Sequence, residues 1–117
     1  MNQPSRADRF VLPDGERKLA FERDTKVENA GTFVLQREDH TMGNLLRMEL
    51  HKNPDVVFAG YKNPHPTDHR IVLKVHTNGN TTPVQALRDA VTNLRAEVSD
   101  LSQQFADEIN AIRQTRE

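Results

Sequence analysis

Five histidines carry most of the chemical potential of this chain, and two groups of them sit beside acids. His65, Asp68 and His69 are spaced so that two imidazoles and a carboxylate can be offered to a cation such as zinc. Pro64 and Pro66 stiffen that loop, cysteine is absent and no helical His-Glu-x-x-His occurs, so no metal centre is expected. Asp39, His40 and Thr41 have the residue types of a proton relay. Neighbours in sequence do not by themselves form the spatial triad that nucleophilic attack needs, whereas Asp39 or Thr41 is a good cap for a helix. Gly15, Gly31, Gly43, Gly60 and Gly79 are dispersed and build no phosphate loop. Phe58, Tyr61 and Lys62 offer stacking to a single strand and Lys74 a phosphate contact, but they form no aromatic and basic ladder, and Phe58 reads as a core residue. The expectation is a protein with no catalytic residue, no metal and no cofactor.

Charge narrows the partners. Sixteen basic and seventeen acidic residues give a formal charge of −1, and the two signs are mixed evenly along the chain. Binding to nucleic acid by charge alone is therefore not expected, nor is direct sequence-specific binding. No apolar run reaches membrane-spanning length, and no membrane partner is expected. With 117 residues and a hydrophobic content of 35%, the chain reads as a single domain, 1–117, with a modest core.

The elements that position these residues follow from periodicity. Met1–Asp8 is polar and reads as loose; Phe10–Leu12 is a short apolar patch closed by the turn Pro13-Asp14-Gly15. Lys18–Glu22 predicts a short edge strand with Leu19 and Phe21 inward. Asn29-Ala30-Gly31 predicts a turn, and Thr32–Glu38 a strand with Phe33 and Leu35 on one face. A helix capped by Asp39 or Thr41 then places Met42, Leu45, Leu46 and Leu50 on one side and Met48 on the other, and Pro54 ends it near Lys52. Val56–Tyr61 predicts a third strand, with Gly60 marking a bulge or a close approach. Ile71–Val75 predicts a fourth, with Ile71, Leu73 and Val75 on one face. The order β-β-α-β-β-α suits an α+β two-layer sandwich, a four-stranded sheet with both helices on one face.

The last element dominates the rest. From Pro83 to about Arg116 the sequence predicts one helix, with Val84, Leu87, Val91, Leu94, Val98, Leu101, Phe105 and Ile112 in a stripe interrupted only at Glu108. Thr82 caps it, Pro83 suits its first turn and Gln85 can complete a capping box. At 1.5 Å per residue the rod is roughly 50 Å long, more than a small domain is wide. Part of the stripe is therefore expected to overhang its own sheet and meet another chain. The alternating Val and Leu also match the seam of a parallel coiled coil, but Arg88, Ala90, Arg95, Glu97, Ser102 and Gln104 at the flanking positions specify self-pairing poorly.

Two stretches carry a resemblance. Arg37-Glu38-Asp39-His40-Thr41-Met42-Gly43-Asn44-Leu45-Leu46-Arg47, followed by Val57-Phe58-Ala59-Gly60-Tyr61-Lys62-Asn63-Pro64-His65-Pro66, resembles the paired signatures of the small alpha-like subunits of RNA polymerases. The start Arg9-Phe10-Val11, with Pro13, Gly15 and Lys18, is most similar to the polymerase II branch of that family, and the likeness covers essentially the whole chain. A small subunit shared by polymerases I and III stays open as an alternative, as does a freestanding homodimeric adaptor.

The resemblance implies the dimerisation fold of the bacterial alpha N-terminal domain and a non-catalytic assembly subunit in the nucleus. It implies an obligate heterodimer with a larger alpha-like subunit, the third in the polymerase II set, which scaffolds the two large catalytic subunits. Carried onto this sequence, Asp39, His40, Thr41, Gly43 and Asn44 open the first interface helix, and Leu45, Leu46 and Met48 continue it. Leu87, Val91, Leu94, Val98 and Leu101 are the second-helix positions, with Phe105 further along the same stripe.

Overall fold

A computed structural model describes residues 6–65 and 67–116. The expected loose start lies partly outside these residues, as does the second proline of the Pro64–Pro66 loop. After a 3-10 turn at Arg6–Arg9, the chain forms strands β1 (Leu19–Arg23) and β2 (Ala30–Gln36) and helix α1 (His40–His51). Strands β3 (Val56–Lys62) and β4 (Arg70–Thr77) follow, and helix α2 (Pro83–Arg116) completes the expected order. The sheet is antiparallel with strand order β1-β2-β4-β3, so β1 and β3 are its edges.

Alternation decides which face is covered. Phe33 and Leu35 on β2, Ala59 on β3, and Ile71, Leu73 and Val75 on β4 point to the helical layer and are buried against Leu46 and Leu50 of α1 and Ala86, Leu87 and Ala90 of α2. Positive φ values punctuate β2, at Asn29 before it and Arg37 after it. The strand consequently begins at Ala30, inside the turn expected from sequence, and stops before Glu38.

Several expectations are corrected here. Leu19 and Phe21 do point to the helical side but no helix reaches β1, so both stay exposed; Phe21 only rests on Phe33, with ring centroids 4.7 Å apart. The irregularity in β3 falls at Val57, between Val56 and Phe58, and not at Gly60. It turns Phe58 onto the outer face of the sheet, 52% exposed, where its ring lies over Gly60, so Phe58 is not a core residue. The cap of α2 is half the expected box: Thr82 Oγ1 accepts from the Gln85 amide at 3.1 Å, but the Gln85 side chain donates to Asp89.

The helices are tied together at one point by charge. Lys52 Nζ lies 3.2 Å from buried Glu49 and 3.0 Å from Glu97 on α2. Hydrogen bonds, first to Glu97 and then to Glu49, raise the ammonium pKa above its ordinary 10.5. A raised lysine pKa stabilises the fold fully below 10.5, and that contribution fades as pH climbs through the folded-state value. Lys52→Met is accordingly expected to lower the urea midpoint near pH 8, with the gap to the parent narrowing near pH 11.

Candidate interaction surface

Helix α2 packs on α1 and β4 through its first third only, where Pro83, Ala86, Leu87 and Ala90 are buried. Leu94 is the last stripe residue packed on the core. Beyond it Val98 is 57% exposed, Leu101 67% and Phe105 69%, and Ile112 is also exposed. The radius of gyration is 18.2 Å, against about 13 Å for a compact domain of this length, because the rest of the helix projects into solvent.

The projection creates a groove. Met42 and Leu45 at the start of α1 face Leu94, Val98, Ser102 and Ala106 of α2 across about 620 Å³ of open space. Leu45 and Met48 are exposed, while Leu46 is buried and belongs to the core. Val84 and Val91 add exposed apolar surface along the same side of α2. The groove is chemically bare: its lining has no acid or histidine, and Arg95 is its one charged group.

The first signature stretch is brought against the second on the other side of α1. Asp39 caps that helix, accepting from the Thr41 amide at 2.9 Å, which is the structural role expected of the Asp-His-Thr run. His40 Nδ1 and the Tyr61 hydroxyl are 3.1 Å apart, and Arg47 lies over the Tyr61 ring at 5.9 Å while donating to Asn44 at 2.7 Å. Gly43 lies directly beside Tyr61; a Cβ there would stand 2.6 Å from the ring. His51 donates through Nε2 to the Ala59 carbonyl at 2.9 Å, a second tie between α1 and β3. Tyr61, by residue type alone a stacking candidate, is instead the hub of these contacts, and the small residue at 43 is the one sign of that role in the sequence.

The site residues expected from sequence therefore divide. Leu45, Met48, Val91, Val98, Leu101 and Phe105 are exposed, Leu94 is half-buried, Leu46 and Leu87 are core, and Asp39, His40, Thr41, Gly43 and Asn44 shape the start of α1. The polar loop residues do not converge: Asp68 pairs with Arg70 at 3.5 Å, and no group of three His, Asp or Glu able to hold a metal occurs among the described residues. Among the same residues, no helix is long and apolar enough to cross a membrane.

The RNA polymerase Rpb3/Rpb11 dimerisation domain matches residues 30–104, a span that holds α1, the sheet from β2 onward and α2 through its exposed Leu101. A Caenorhabditis elegans protein described as a probable DNA-directed RNA polymerase II subunit RPB11 is 50% identical over 85% of this chain and 80% of its own length. The Dictyostelium discoideum DNA-directed RNA polymerase II subunit rpb11 is 42% identical over 93% of this chain and 91% of its own. Among solved structures, DNA-directed RNA polymerase subunit L of Thermoplasma acidophilum superposes with a TM-score of 0.63 at 26% identity, covering 79% of this chain and 90% of that one.

Proposed function

The chain belongs to the RNA polymerase Rpb3/Rpb11 dimerisation family, and from that premise we propose that it is the small alpha-like subunit of RNA polymerase II, a non-catalytic assembly subunit. It pairs obligately with the larger alpha-like subunit, acts as one dimerisation domain in the nucleus, and through that pair supports assembly with the large catalytic subunits. The observation that carries this reading is the α2 stripe, which continues from Val98 to Ile112 after the chain's own core has ended at Leu94. A partner helix laid along it removes large side chains from water at roughly 1.5–3 kcal/mol each.

The Caenorhabditis elegans and Dictyostelium discoideum relatives are named as polymerase II subunits, which supports that enzyme over polymerases I and III. Sedimentation separates the heterodimer from a homodimeric adaptor. The isolated chain is expected to self-associate or aggregate and to become a single 1:1 species on addition of the larger subunit. A stable homodimer that ignores that subunit, with a thermal midpoint rising with its own concentration, would refute the assignment.

Nucleic acid contact is assigned to the assembled enzyme. In a fluorescence titration at about 0.15 M salt the heterodimer is expected to show no binding near 10 nM, the range of specific binders, and any weaker binding is expected to fade with added salt.

A further inference from the structure

Among the described residues the β1 edge is open, apolar on one face and basic on the other. Gln36 donates to the Lys18 carbonyl at 2.8 Å and Asp24 to the Ala30 carbonyl at 3.0 Å, which fixes the phase of the β1–β2 ladder. Ala20 and Glu22 therefore turn their backbone groups toward β2, and the N–H and C=O of Leu19, Phe21 and Arg23 point away from the sheet. All five residues of β1 are exposed. Leu19 and Phe21 lie on the helical side beyond the reach of either helix, and the Phe21 ring occupies the space that a side chain at Gly31 would fill.

On the opposite face, beside Ala20, lies a cleft of about 520 Å³ lined by Arg17, Arg37, His69 and Arg70 with Glu16 and Asp68. Its cations are incompletely matched. Arg37 Nη2 is 4.0 Å from Glu16 and Arg70 Nε 3.5 Å from Asp68, both longer than a good charged hydrogen bond. The Nε atoms of Arg37 and Arg70 are buried and make no hydrogen bond, Asp68 meeting Arg70 as a long ion pair only, and among the described residues Arg17 has no ion pair. Arg37 is held in place, since its Nη1 donates to the Asp8 carbonyl at 2.7 Å.

We propose that the β1 edge receives an extended segment of a third protein, one whose apolar side chains alternate with carboxylates. A strand added outside β1 pairs with the outward groups of Leu19, Phe21 and Arg23, and its side chains alternate between the two faces. One set covers Leu19 and Phe21; the other enters the arginine cleft, where a carboxylate completes the cations. Glu16 and Asp68 in the lining disfavour a phosphate backbone, whose charges repeat at every nucleotide. The inference rests on the heterodimer reading, which gives the helices to the larger alpha-like subunit and leaves this edge to another chain.

Residue-resolved hydrogen exchange tests it on the heterodimer and on the assembled polymerase. The amides of Leu19, Phe21 and Arg23 are expected to slow about tenfold or more on assembly, while Ala20 and Glu22, already bonded to β2, change little. Arg17→Glu, which reverses an exposed charge, and Leu19→Pro, which deletes one outward N–H, are each expected to cut that protection and the retention of the third protein about tenfold, with heterodimer yield unchanged. Should Leu19→Pro disturb the strand, Arg17→Glu still decides. Equal exchange in both states, protection lost on nuclease treatment, or protection growing with heterodimer concentration alone overturns the proposal. Failure to pair with the larger subunit sinks the underlying reading and this one together; intact pairing with unprotected β1 amides sinks only this one.

Discussion

Leu101→Asp is expected to abolish capture of the larger alpha-like subunit while leaving the fold of the isolated chain unchanged. Leu101 is 67% exposed and touches no part of its own core, so the substitution removes nothing that the monomer uses. In the heterodimer the same position loses roughly 1.5–3 kcal/mol of apolar burial and gains an unpaired carboxylate to desolvate. Together these exceed about 3 kcal/mol, more than about a hundredfold in affinity. Co-purification read beside far-ultraviolet circular dichroism is the measurement. Leu94 is the poorer probe, because it packs on the core and its replacement damages fold and interface at once. A folded Leu101→Asp chain that binds its partner as tightly as the parent would remove α2 from the interface.

Gly43→Ala is expected to destabilise the heterodimer by about 2 kcal/mol, although alanine ordinarily strengthens a helix. The new methyl would stand 2.6 Å from the Tyr61 ring, and that ring is held by His40 and Arg47, so α1 must lift from β3. Leu46 and Leu50, buried on the same helix, would move with it. Urea unfolding should show a lower midpoint, and most of the loss should vanish in a Tyr61→Ala background, where the obstacle is gone. Equal costs in the two backgrounds would mean that the glycine is required for some reason other than the ring.

The sequence alone determined a good deal, for identifiable reasons. The bounds of α2 were readable because Thr82 and Pro83 mark its start and nothing after them breaks a helix. The alternation at Ile71, Leu73 and Val75 placed β4 and its buried face, since a strand covered on one side writes a period of two. The cap at Asp39 and the overhang of the last helix were equally legible, one from residue type and the other from length against domain size.

Tertiary structure decided the rest. Periodicity reports which side of an element is apolar, but not whether another element arrives to cover it. Leu19 and Phe21 have an inward pattern and stay exposed because both helices lie over the other strands, while Phe58 leaves the core because one extra residue at Val57 reverses the faces of β3. Likewise Ala86 and Ala90, too small to stand out in a hydrophobic stripe, join Leu87 in the close contacts of α2, while the larger Val84, Val91 and Val98 beside and beyond them remain exposed. Tyr61 meets Gly43, His40 and Arg47 only after β3 has folded beneath α1, because those contacts join residues 14 or more positions apart, which no local pattern encodes.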